Sequence, residues 1–346
     1  MKSWDAIIVG GGIIGLTLSI ELRKQGLKVL IVERGEPGRE ASHAAAGMLS
    51  DHLEDTPAAM QAIATASARM YPEFVHELQD ESGIKVDLRD YGALVLGSPG
   101  ESGDKLPAPL SELEPALADP TRSARFLKER SVDPRALVAA ALKAAKHRLV
   151  DISSGTEVTG LLVSDGKVAG VSTHKSEYRA SVVVNCAGAW AGQVSPQRFP
   201  TRPVKGQMLC VVGQRVLRHV IRALEVYLVP RSDGRTLIGA TVEEAGYDKR
   251  TDPDTIHRMH QAAIALIPAL GQARVHEAWA GLRPGTPDAL PMLGATNTPG
   301  YFVAAGHYRD GILLAPITAR VMAQAITGMK PEQDLAAFSP ARFTEK

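Results

Sequence analysis

Gly10, Gly12 and Gly15 stand at the G-x-G-x-x-G spacing, and an acidic residue, Glu33, closes the next apolar run. The spacing alone recurs by chance, so its context decides. Ala6-Ile7-Ile8-Val9 is a continuous apolar run, as expected of a parallel strand buried on both faces. A helical stretch at 16–24 follows, Gly26 supplies a stop, and Val29-Leu30-Ile31-Val32 is a second buried run ending at Glu33. In such a strand–turn–helix–strand unit the glycines form a dinucleotide cradle. Gly10 permits the tight turn, Gly12 lets the backbone approach a pyrophosphate, and Gly15 allows close helix–strand contact. The helix N-terminus stabilises the phosphate charge. Glu33 is expected to accept hydrogen bonds from the adenosine ribose hydroxyls, and its charge disfavours a 2′-phosphate and hence NADP.

The fingerprint does not separate FAD from NAD. A second small-residue stretch, Ala41-Ser42-His43-Ala44-Ala45-Ala46-Gly47-Met48-Leu49, follows soon after Glu33. Side chains without bulk let a backbone lie against a large planar ligand, which suits a flavin. The competing reading is the start of an alanine-rich helix.

The elements that must position these residues can be read along the chain. Helices are expected at 56–81, at 134–147 behind the cap Asp133-Pro134, at 253–266 behind Asp252-Pro253, and at 314–327. Strands are expected at 92–97, 182–185, 208–212, 226–229, 236–238 and 301–304, with 161–164 and 167–171 joined by the hairpin signal Asp165-Gly166. The stretch 99–120 is loop-rich, with a short acidic helix around 111–114. Nucleotide elements occupy the start, middle and end, with β-rich insertions between. The predicted fold class is therefore α/β, α+β overall. A discontinuous Rossmann-like domain (1–85, 131–200, 276–346) carries an inserted antiparallel β-sheet substrate domain (86–130, 201–275).

With 346 residues, net charge +1, 45% apolar and 22% charged residues, the composition is that of a soluble globular chain, and it offers no footing for nucleic acid or a polybasic membrane role. The two cysteines, Cys186 and Cys210, have no CxxC spacing and argue against a disulfide framework or a metal site. The first residues show no leader pattern, and the glycine-interrupted run 6–15 is too short to span a bilayer, so a cytoplasmic enzyme is expected.

Further blocks join the glycine motif in order: Ala44 to Leu49, Val204-Lys205-Gly206, Tyr227-Leu228-Val229-Pro230-Arg231, Gly281-Leu282-Arg283-Pro284-Gly285-Thr286, and the run from Gly306 to Pro316. On these the chain resembles, through almost its whole length, the D-amino-acid-oxidase-like FAD-dependent oxidoreductases, most closely the glycine-oxidase branch of thiamine synthesis. The resemblance implies FAD contacts from Ile13, Ile14, Glu33, Arg34, Ala41, Ser42, Ala46, Gly47 and Met48, and from the main chain of Val132. It also implies a flavin loop formed by His307, Tyr308, Arg309, Asp310, Gly311, Ile312 and Leu313. Relatives that tether FAD use a cysteine near that loop; neither cysteine here lies there, which implies non-covalent FAD.

The same resemblance places Arg283 and Arg309 at the substrate with Tyr227 on the opposite wall. The chemistry agrees, because arginine's planar fork suits a carboxylate and a tyrosine supplies a hydroxyl and a ring. Asp310 stands where similar sequences often carry Asn, so it is in a position to pair with Arg309. His43 and His307 are given no catalytic role. The implied reaction is oxidative deamination of glycine or another small amino acid or amine by hydride transfer to flavin N5, giving a 2-oxo acid, ammonia and hydrogen peroxide. Dioxygen is then the acceptor, and the resemblance implies a homo-oligomer, with a tetramer common among such relatives. A D-amino-acid dehydrogenase or sarcosine-oxidase-like enzyme is the nearest alternative. A non-catalytic flavin-binding protein and an NAD-dependent dehydrogenase are alternatives of other classes.

Overall fold

The computed structural model describes residues 3–51, 57–97 and 106–343. Strand β1 (Ala6–Val9), helix α1 (Ile13–Lys24) and strand β2 (Val29–Val32) form the expected βαβ unit. They belong to a six-stranded sheet in the order Met292–Ala295, Tyr301–Ala305, Val182–Asn185, β1, β2, Asp151–Ser153. All neighbours in it are parallel except the first pair. Every residue of β1 and β2 is buried, which is why both read as unbroken apolar runs. Their side chains alternate between two cores. Ala6 and Ile8 face the layer of α1 and the helices Gln61–Ser82, Pro134–His147 and Ala315–Ile326. Ile7 and Val9 face the small sheet formed by Val158–Ser164, Lys167–Thr173 and Glu177–Arg179.

Local chemistry sets the ends of these elements as expected. The Asp133 carboxylate accepts from the Arg135 and Ala136 amides at 2.9 and 3.4 Å, and Pro134 occupies the first helical position. Asp252 accepts from the Thr255 amide at 3.1 Å in the same way. Asp165 and Gly166 both take positive φ, 51° and 73°, the requirement of a type I′ turn.

A seven-stranded sheet forms the second layer, in the order Arg274–Gly285, Arg202–Val212, Arg235–Gly239, Tyr227–Pro230, Val220–Arg222, Ala93–Leu96, Ala124–Leu127. It is antiparallel apart from the pairing of Val220–Arg222 with Ala93–Leu96. Three sequence expectations change here. α1 begins at Ile13, directly after Gly12, rather than at Leu16. The strand read at 208–212 begins at Arg202. The segment around Arg283, for which no element is expected, is the end of a twelve-residue strand, Arg274–Gly285. Gly281, Pro284 and Gly285 hide it, and they are tolerated because it is an edge strand. The domain boundary expected at 276 falls inside this strand, which pairs with Arg202–Val212 along its length and therefore stays with the seven-stranded sheet.

The helix read from residue 56 is Gln61–Ser82; Thr56 itself, and residues 99–105 of the loop-rich stretch, lie outside the described residues.

Candidate active site

A cavity of about 660 Å³ runs between the C-terminal edge of the six-stranded sheet and the face of the seven-stranded one. Open α/β sheets bind ligands at this edge. At one end it is walled by Gly10, Gly12, Ile13, Ile14, Glu33 and Arg34, and by Thr156, Glu157 and Val158 after the outermost parallel strand. Gly10 adopts φ +105°, and a Cβ there would strike the Cys186 carbonyl at 2.5 Å. A side chain on Gly15 would run into the carbonyl of Gly10. Gly15 thus sets the approach of helix to strand and does not itself line the cavity.

Glu33 is buried, and its two carboxylate oxygens accept from the Gly11 and Gly35 amides at 2.7 and 2.8 Å. These bonds orient the carboxylate, and each oxygen keeps a lone pair for a ribose hydroxyl. Ser42 Oγ accepts from the Ile13 amide at 3.0 Å, tying the small-residue stretch to the first turn of α1. That stretch resolves its two readings by containing both. Ala41–Ala44 is a single helical turn, and the chain from Ala45 to Met48 then runs along the cavity wall. Gly47 has φ +75°, and the space a side chain would need there is filled by the Val132 carbonyl.

Two residues expected to contact the cofactor do not line the cavity. Val132 is fully buried with its amide bonded to the Gly47 carbonyl at 2.8 Å, so it braces the wall from behind. Leu313 is likewise off the cavity; its carbonyl accepts from Ser67 Oγ at 2.6 Å. Sequence reading missed Thr156–Val158 and the Cys186–Trp190 segment, which do line it. Gly188, with φ +54° and open space where a Cβ would sit, was the available signal.

The remaining flavin-loop residues, His307 to Ile312, line the middle of the cavity. The Tyr308 amide donates to the Pro284 carbonyl at 3.0 Å, bolting this loop to the strand that carries Arg283. His307 is buried with its ring nitrogen 3.2 Å from Thr318 Oγ1, and burial pushes its pKa down to about 3. It is neutral at pH 7, with its ring nitrogen against Thr318. His43 is absent from the cavity wall; its ring lies 3.1 Å from Arg39. The Arg309 guanidinium lies 5.1 Å from the centre of the Tyr308 ring. Burial pushes the Asp310 carboxyl up to about 6 against the pull of Arg309. The two cysteines are buried, and Cys186, on the nucleotide side, has its thiol pushed up by burial, so it presents no thiolate.

Arg283 and Tyr227 meet at the far side of the cavity, each resting on a glycine. A Cβ on Gly206 would overlap the Arg283 guanidinium, and one on Gly239 would lie 2.6 Å from the Tyr227 hydroxyl. Arg283 Nη1 donates to the Thr241 and Lys205 carbonyls at 3.1 and 3.4 Å. Among the described residues no carboxylate pairs with it. Burial raises the Tyr227 pKa although Arg283 opposes the shift, so its hydroxyl stays protonated. Arg309 also lines this space, more exposed than Arg283. Sequence reading thus located all three side chains on one cavity. The chemistry they offer is recognition of an anion next to a water-poor aromatic wall.

The described residues contain no helix long and apolar enough to cross a membrane, and no His/Cys/Asp/Glu group suited to a metal. The family model for FAD dependent oxidoreductase matches residues 5–325. Glycine oxidase of Pseudomonas aeruginosa is 34% identical over 360 residues, spanning 97% of this chain and 98% of that protein. The bifunctional protein ThiO/ThiG of Trichormus variabilis is 35% identical over 99% of this chain, but the match spans 55% of its own length. Among solved structures, glycine oxidase from Geobacillus kaustophilus superposes with a TM-score of 0.93 at 31% identity, covering 99% of both chains. A cradle for a dinucleotide, a wall of small residues and an arginine–tyrosine pair therefore sit in a chain that belongs to the FAD-dependent oxidoreductases of the D-amino-acid-oxidase type.

Proposed function

We propose that the chain oxidises the C–N bond of glycine or a similarly small amino acid or amine, giving the 2-oxo acid, ammonia and, with dioxygen as acceptor, hydrogen peroxide. The observation that carries this reading is Arg283, a half-buried guanidinium on the cavity wall. Backbone carbonyls orient it, and among the described residues no carboxylate neutralises it. A cation so placed attracts an anionic ligand, and its planar fork fits a carboxylate. The match to glycine oxidases points the same way.

When bound, FAD supplies the two-electron acceptor beside the substrate. The protein's part is orientation. Arg283 grips the carboxylate, Tyr227 donates its hydroxyl to the same group and excludes water, and the loop bolted to Pro284 fixes the distance between cofactor and substrate walls. Glu33, the glycine turn and the first amides of α1 hold the nucleotide, and Arg34 and Ala41 to Met48 frame it. His307 is a poor base, since burial holds its pKa near 3 and its ring nitrogen lies against Thr318. The amine must therefore arrive neutral or lose its proton to water. A homo-oligomer acting in the cytoplasm is the setting expected of such an enzyme, and sedimentation of the purified chain tests the assembly.

The decisive experiment is anaerobic addition of glycine or sarcosine to the yellow holoprotein. Bleaching, with peroxide formed on readmitting air, is the expected result. A yellow protein inert to every amine tested overturns the reading.

A further inference from the structure

Three different elements tie down the loop from His307 to Leu313. At its start, His307 Nε2 lies 3.2 Å from Thr318 Oγ1 of the helix Ala315–Ile326, and the Tyr308 amide donates to the Pro284 carbonyl. At its end the partners come from the helix Gln61–Ser82. Ser67 Oγ donates to the Leu313 carbonyl at 2.6 Å, and the Tyr71 hydroxyl donates to the Ile312 carbonyl. Ser67 and Tyr71 stand four residues apart, on one face of their helix. Both are fully buried, in a core to which the same helix contributes Ile63, Ala64, Val75 and Leu78. Burial raises the Tyr71 pKa well above the ordinary phenol value, so the hydroxyl remains a donor. A serine inside a helix commonly turns back to its own helix; here both hydroxyls reach across to consecutive carbonyls of one loop.

Peptide planarity says what these bonds do to the backbone. A trans peptide points its C=O and N–H in opposite directions, so drawing the Ile312 carbonyl to the helix turns the Leu313 amide away from it. Among the described residues the amides of Gly311, Ile312 and Leu313 have no acceptor. Those on either side do: the Asp310 amide bonds to the His307 carbonyl at 2.9 Å and the Leu314 amide to the Asp310 carbonyl at 2.8 Å. Gly311 and Ile312 line the cavity, and Ile312 and Leu313 are buried. Buried amides require a partner. Three in a row beside a cavity fit the electron-rich edge of a flavin ring, whose gain of charge on reduction such donors stabilise.

Resting on the amine-oxidase reading above, we propose that Ser67 and Tyr71 are positioning residues for the redox step. By holding two consecutive carbonyls they keep the amides from Gly311 to Leu313 available to bound FAD, and so raise the potential at which it accepts two electrons. Neither side chain lines the cavity, so both act through the loop. Among the described residues Ser67 is the one donor to the Leu313 carbonyl, while the Ile312 carbonyl also accepts from the Ala315 amide at 3.2 Å. Removing a hydroxyl leaves a buried acceptor short of a partner, which penalises the present orientation of that peptide and lets it turn toward another donor.

The test is the two-electron midpoint potential of the holoprotein, measured by dye equilibration in Tyr71→Phe, Ser67→Ala and the double variant. Each single change is expected to disfavour reduction about tenfold, the size of one hydrogen bond, which for a two-electron couple is about 30 mV. Anaerobic reduction by glycine should slow while KM stays within about twofold of wild type, as for an effect confined to the chemical step. Val75→Ala, which loosens the same helix without removing a donor to the loop, should lower the melting temperature and leave the potential unchanged. A double variant with the wild-type potential, or a Val75→Ala shift as large as that of Tyr71→Phe, overturns the inference. The potential is read without any amine, so a holoprotein that no amine bleaches removes the proposed function and leaves this measurement to stand or fall by itself.

Discussion

The two sheets that enclose the cavity carry their chemistry in opposite ways. The six-stranded sheet presents mainly backbone: turns without side chains, amides at the start of α1, and the carboxylate of Glu33 held by two amides. The seven-stranded sheet presents side chains, with Arg283, Tyr227 and Arg222 spread over its face and glycines beneath the first two. A backbone cradle recognises what is constant in a dinucleotide. Side chains on strands can be exchanged one at a time, so this is the half in which selectivity for the substrate resides.

That division predicts separable defects. Arg283→Met should lower kcat/KM for small amino acids about 10³-fold, since truncating a charged, desolvated partner costs roughly 2–5 kcal/mol. Its dissociation constant for FAD should stay within about threefold of wild type by fluorescence titration. A comparable loss of FAD would end the separation between the two sheets.

A pH effect should come next in size and belong to the flavin loop. His307 titrates at about 3 in the fold and near 6.5 unfolded. The unfolded chain therefore binds the proton first, and the stability present above pH 6.5 is lost as pH falls toward 3. Between pH 6.5 and 4.5 this amounts to about 2–3 kcal/mol for that one group. Denaturant unfolding of His307→Gln should show a correspondingly shallower decline over the same interval, and equal slopes would remove the histidine as the cause.

Glu33→Gln should act on the other half. Losing the charge that its two amides orient should weaken FAD binding about tenfold, near the lower end for hydrogen bonds to charged groups. The anaerobic reduction rate at saturating FAD should be unchanged. Smallest of the four, Gly239→Ala should push the Tyr227 ring from its seat and raise KM severalfold, in line with mild overpacking. A parallel loss of FAD in that variant would show that the two walls are not independent.

The same contrast decides how much was legible beforehand. Unbroken apolar runs and special glycines mark the nucleotide half, because a buried parallel strand and a positive-φ turn each restrict residue type. Arg283 was legible through its motif block, but its strand was not: Gly281, Pro284 and Gly285 suppress β propensity, and only pairing with Arg202–Val212 makes that segment extended. Val132 and Leu313, whose cofactor contacts rest on position alone, do not line the cavity; their hydrogen bonds brace its wall. Thr156–Val158 escaped notice because nothing local distinguishes a loop that lines a groove from one that faces water. The tie from Ser67 and Tyr71 to the flavin loop could not be read at all, since it joins residues 246 and 241 positions apart.

Gly206 and Gly239 carry a lesson for altering what the enzyme accepts. Neither contributes an atom to recognition, yet each is the floor on which a recognising group lies, so mutational libraries that vary them will mostly return misplaced arginine and tyrosine. Ala223 and Leu224, at the rim of the same cavity, lie beneath no such group, and new preferences are best sought there.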